Sequence, residues 1–83
     1  MHNINENKLY ETTDLGCAAA IECSRRFKPP KLDKSNPKKV LFCFQYEDGI
    51  QQAADDYFTF NFQVDAQTYF NFLRSLKTQI YNS

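Results

Sequence analysis

The segment Lys38 to Tyr46 alternates in a way that suits a strand inside a sheet. Val40, Phe42, Phe44 and Tyr46 share one side, and Leu41, Cys43 and Gln45 share the other, because side chains of an extended backbone point alternately to opposite faces. Both sides are apolar over much of its length, so this strand is expected to be central. An 83-residue chain buries roughly 60–65% of its unfolded surface and holds one modest core. With 42% hydrophobic residues, two Gly and three Pro, the composition is that of a folded domain. Residues 1–7 read as a disordered lead and residues 8–83 as a single domain.

Elements can be placed around that strand. Lys8 to Thr12 is a short strand, with Leu9, Tyr10 and Thr12 favouring extended structure. Thr13 or Asp14 caps a helix running to about Ser24, and Leu15, Ala18 and Ile21 are its expected inward contacts. Arg25 to Leu32 contains Pro29-Pro30, so it is irregular or an edge strand, and Asp33 to Pro37 is a turn. Residues 26–32 and 38–46 are expected to pair as a hairpin. Ile50, Ala53, Ala54, Tyr57 and Phe58 recur at helical spacing. Phe58, Phe60, Phe62 and Val64 alternate instead, so the helix is expected to give way near residue 59. Asp65 caps a last helix with Val64 and Tyr69 as a hydrophobic staple, burying Tyr69, Phe72, Leu73, Leu76 and Ile80. The order β-α-β-β-α-α describes an α+β domain, with helices packed on a small antiparallel sheet of about three strands.

Several chemistries lack their residues. The longest apolar run, Val40 to Phe44, falls far short of the roughly 20 residues of a membrane helix, so no membrane partner is expected. The polar lead Met1 to Lys8 does not read as a signal peptide. Cys17, Cys23 and Cys43 are odd in number, form no Cys-x-x-Cys, and read as buried small hydrophobes rather than a disulfide or zinc site. The cytoplasm, of a bacterium or of an infected host cell, is the expected compartment. The single histidine, His2, stands in the lead, which takes the commonest general base out of the folded body. Gly16 and Gly49 stand alone, so no phosphate loop exists. Asp55 and Asp56, neighbours on a helix, point about 100° apart and do not converge on one ion unaided. Glu47-Asp48-Gly49 reads as a strand exit. No enzyme, cofactor or metal is expected.

Tyr10-x-Thr12-x-Asp14-Leu15-x-x-Ala18-Ala19 opens a pattern that continues through Val40-Leu41-Phe42-x-Phe44, Asp56-Tyr57-Phe58, Val64, Tyr69-Phe70 and Leu73-Arg74-x-Leu76-Lys77. Over about residues 8–82 it resembles a family of short domains of unknown function carried by phages and mobile elements. The resemblance implies a setting rather than a reaction.

Charge is segregated although it sums to zero. Residues 1–24 balance to −3, residues 25–39 to +6 and residues 40–64 to −4. Arg25, Arg26, Lys28, Lys31, Lys34, Lys38 and Lys39 lie on the expected hairpin. There they could contact a nucleic-acid backbone, with Phe27 stacking on a base, or they could meet an acidic protein partner. Arg74 and Lys77, on a stripe with Phe70 and Tyr81, could extend that surface or merely complement a helix dipole. The plainer account of the lysines is a solvated edge, paired in part with Asp55 and Asp56. Five Tyr and eight Phe are many for one small core. Phe60, Phe62, Phe70 and Tyr81 are the candidates for an exposed apolar interface with a partner protein or a second copy. The leading expectation is therefore a non-enzymatic accessory protein of a phage or mobile element that contacts nucleic acid through the basic hairpin. The alternative is a protein-binding module, an inhibitor or adaptor of a host or phage protein, using the aromatic surface.

Overall fold

A computed structural model describes residues 8–82; the lead and His2 lie outside the described residues. The chain runs β1 (Leu9–Thr12), α1 (Leu15–Cys23), β2 (Lys31–Asp33), β3 (Leu41–Gln45), α2 (Ile50–Phe58) and α3 (Ala66–Tyr81). The strands form one antiparallel sheet in the order β1-β3-β2, so the doubly apolar segment is central and the α+β order is as expected. Phe42 and Phe44 are almost fully buried, each burial being worth about 1.5–3 kcal/mol. They share a core with Cys17, Ile21, Ile50, Ala54 and Leu76. On the other side of the sheet, Leu9, Gln45 and Lys31 are exposed and Leu41 and Cys43 half-buried. Cys43 therefore departs from the buried role expected of it; all three cysteines are free.

The hairpin is shorter than its sequence suggests. Only Lys31, Leu32 and Asp33 pair, with Cys43, Phe42 and Leu41 in turn. Pro29 and Pro30 have no N–H to donate and hold off the ladder until Lys31. At the other end Asp33 Oδ1 accepts from Ser35 N at 3.0 Å and Ser35 Oγ at 2.7 Å, a local turn that competes with strand pairing. Lys38 to Val40 consequently lie outside β3.

Asp14 caps α1, its Oδ1 accepting from Cys17 N at 2.9 Å. Every residue from Cys17 to Ile21 is buried, wider than the three-residue face expected. The alanines are small enough for α1 to meet β1, α2 and α3 closely. Gly49 precedes α2 at φ 91°, a left-handed conformation that glycine adopts without steric cost. Asp65 caps α3 through Thr68 N at 2.9 Å. Leu76 is buried, and Tyr69, Phe72, Leu73 and Ile80 pack against the core, as the helical spacing implies.

The last turn of α3 contains no basic residue. Lys34 supplies one from across the molecule, its Nζ donating to the carbonyls of Gln79 and, at 2.5 Å, Asn82. A cation there complements the negative end of the helix. Lys34 is thereby tied down internally rather than presented to a nucleic acid. Among the described residues no helix is long and apolar enough to cross a membrane.

Candidate functional site

The basic residues do not form one arm. Arg25 borders a shallow cleft with Thr68 and Phe72 of α3. Arg26 lies in another with Ala53 and Asp56 of α2, its guanidinium 5.1 Å from the Phe27 ring centroid. Phe27 is half-buried against the core, so it is not the free stacking ring expected of it. Lys28 and Lys31 join Lys8 around a concavity of about 430 Å³ beside Cys43 and Gln45. Lys38 and Lys39 are exposed in the turn before β3. Arg74 sits 4.9 Å from the Phe70 ring centroid, and Lys77 is exposed further along α3. Asp55 and Asp56 accept hydrogen bonds from Gln51 and Gln52 of their own helix, at 3.1 and 2.8 Å.

The aromatic residues do converge. Residues 59–65 join α2 to α3, and between these elements lies a cleft of about 730 Å³ lined by Tyr57, Phe58, Phe60, Phe62, Tyr69 and Asp14. Its volume is that of a ligand-binding cavity. The rings are set edge to face, with centroid separations of 5.1 Å for Tyr57–Phe58, 6.2 Å for Tyr57–Phe62 and 5.5 Å for Phe62–Tyr69. That arrangement favours aromatic pairs. It leaves Phe62 half-buried rather than exposed. Phe70 and Tyr81 are exposed on α3, outside this cleft.

Two non-glycine residues among those described have positive φ, Arg25 at 60° after α1 and Phe60 at 64°, and of the two Phe60 lies on the aromatic cleft. Asn61 N donates to Asp56 O at 2.9 Å and Phe60 N to Tyr57 O at 3.3 Å, the paired bonds of a Schellman cap. The residue that must turn left-handed in such a cap is usually glycine. Here it is phenylalanine, at φ 64° and 94% exposed. A side chain in that conformation costs about 1–2 kcal/mol, and its ring recovers little by burial. Local strain of this kind gathers at functional sites.

The floor of the cleft is fixed by α1. Tyr69 Oη donates to the Gly16 carbonyl at 3.3 Å. Tyr57 lies close enough to Asp14 that the carboxylate, after burial itself, helps to push its phenol up. Burial pushes Tyr69 up to about 12, and likewise Tyr10 on the inner face of the sheet, helped by the neighbouring Cys17 thiol. The native state thus holds these phenolic protons more tightly than the unfolded chain does. Their contribution to stability is complete below pH 10 and should be lost as the pH rises towards 12. Urea midpoints taken across that window should fall, in step with phenolate absorbance; a flat profile contradicts the burial of both hydroxyls.

In the sequence Tyr57 and Tyr69 read as parts of helical core stripes and Asp14 as a cap, while Phe58 reads both as the end of a stripe and as one ring too many for a small core. The signal available in sequence was the alternation of Phe58, Phe60, Phe62 and Val64 directly after a helix. Among the described residues no three His, Cys, Asp or Glu side chains gather around a metal-sized site. Comparison finds no curated protein and no solved structure that matches the chain. A family model does match it, over residues 7–82, and by that match the chain belongs to the family described as a domain of unknown function, DUF5659.

Proposed function

We propose that this chain is a non-enzymatic protein-binding module whose aromatic cleft seats a segment of a partner polypeptide. The observation that carries this is Phe60, a strained and almost fully exposed aromatic at the lip of a cleft already lined by four more rings. Exposed aromatics beside a concave apolar surface are the usual anchors of protein interfaces. The phage or mobile-element setting implied by the resemblance makes a host or phage protein the natural partner, with the module as an inhibitor or adaptor in the cytoplasm.

Phe60→Gly separates binding from folding. Glycine removes the left-handed strain, so the variant should be about 1 kcal/mol more stable in urea. Peptides selected on the wild-type protein from a displayed random library should meanwhile bind it at least about tenfold more weakly. Unchanged affinity would remove the cleft from the proposal.

Nucleic-acid contact is a second reading, favoured by the gathering of Lys8, Lys28 and Lys31 beside the exposed side of the sheet. Fluorescence anisotropy with short single- and double-stranded DNA and RNA, at low and physiological salt, compares the two. Salt-sensitive binding that disappears in the pair Lys28→Glu, Lys31→Glu would put this reading first.

A further inference from the structure

We infer that the group seated in the aromatic cleft is an arginine side chain of the partner, stacked among the rings and facing Asp14. This rests on the protein-binding reading and adds the chemistry of the bound group. Three observations support it. The cleft is lined by the rings of Tyr57, Phe58, Phe60, Phe62 and Tyr69 together with the half-buried carboxylate of Asp14. Asp14 is held in place by the α1 backbone through its Oδ1, so its charge is fixed before anything binds. The stretch that supplies most of the cleft wall carries one sign of charge, the basic residues of α3 lying further along the helix at Arg74 and Lys77. From Val40 to Leu73 the acids are Glu47, Asp48, Asp55, Asp56 and Asp65, with no Lys, Arg or His. Arg26 borders the neighbouring cleft, with Phe62, Gln63 and Val64 common to both.

Asp14 is met on one side by the Cys17 N–H and the positive end of α1, but a purely apolar occupant would strip water from the carboxylate and offer it no further partner. A cation supplies that partner, and aromatic faces attract cations through their quadrupoles. Arginine suits the site better than lysine because its guanidinium is planar, stacks on rings and meets a carboxylate with directed N–H groups.

The test uses N-acetyl-arginine methylamide and its neutral isostere N-acetyl-citrulline methylamide, each titrated into the full chain by two-dimensional NMR. Asp14→Asn is the matched variant, since asparagine caps a helix as well as aspartate does and removes only the charge. The arginine compound should shift resonances of Phe60, Phe62 and Tyr69 and bind about tenfold more tightly than the citrulline compound. In Asp14→Asn that preference should fall to about twofold or less. Equal binding of both compounds at the cleft overturns the arginine assignment while leaving the protein-binding reading intact. No shift at the cleft with either overturns it too, and the displayed peptides with Phe60→Gly then decide the broader reading separately. Shifts of the same resonances on raising protein concentration alone would make a second copy of this chain the occupant, and likewise overturn it.

Discussion

Phe44→Ala should lose about 3–5 kcal/mol of stability, the usual result of removing a fully buried phenylalanine. Phe44 is fully buried on the central strand and opposite Tyr10 of β1, so the void would open where the sheet meets the helical layer. Chains of this size hold only about 4–12 kcal/mol in total. The loss is about a quarter or more of that total, so the thermal midpoint should fall by more than about 12 °C. Phe70→Ala is the control, since that ring is about half exposed on α3 and its loss should cost far less. A fall of under about 5 °C for Phe44→Ala, followed by circular dichroism, would mean that the core collapses to fill the space.

Gly16→Ala should destabilise, although the opposite is normal inside a helix, where alanine is better than glycine by about 1 kcal/mol. A Cβ on residue 16 would stand 2.2 Å from Tyr57 Oη, 3.0 Å from Tyr57 Cζ and 3.1 Å from Tyr69 Oη. The tyrosine hydroxyl occupies the place where the methyl group would go. Tyr57 would have to leave its position between Phe58 and Phe62, and overpacking of that kind costs about 1–3 kcal/mol. Tyr57→Phe in the same chain deletes the nearest clashing atom and should restore most of the loss. The double-mutant cycle in urea should give a coupling above about 1 kcal/mol. Additive effects would show that the ring moves aside freely and that α1 does not set the floor of the cleft.

Periodic residues were legible in the sequence because they obey local rules. The β3 alternation, a cap at Thr13 or Asp14 (Asp14 in the structure), the cap at Asp65 and the stripe from Tyr69 to Ile80 each follow from requirements met within a few positions. The extent of the hairpin was not legible, because Pro29-Pro30 and the Asp33–Ser35 turn cut it from both sides. Nor was the fate of the basic residues, which depends on where distant parts of the chain arrive. Lys34 finds the carbonyls at the end of α3, and Arg26 finds the side of α2. Phe60 and Phe62 were candidate interface residues from their number and spacing alone. Their meeting with Tyr69 and Asp14 rests on the packing of α3 and α2 against α1, which local rules do not describe.

The sheet order has a consequence for the chain as it is being made. Leu9 must find Gln45, and α1 is covered only when α3 arrives. Contacts of this range form late, because loop closure must precede them. At about 5–20 residues per second, the span from Cys17 to Tyr81 takes roughly 3–13 s to synthesise. Until β3, α2 and α3 have all been made, the run Cys17 to Ile21, later wholly buried, lacks part of what finally covers it. Exposure to aggregation is thus concentrated before α3 packs, and it falls on the helix whose small residues later allow close packing.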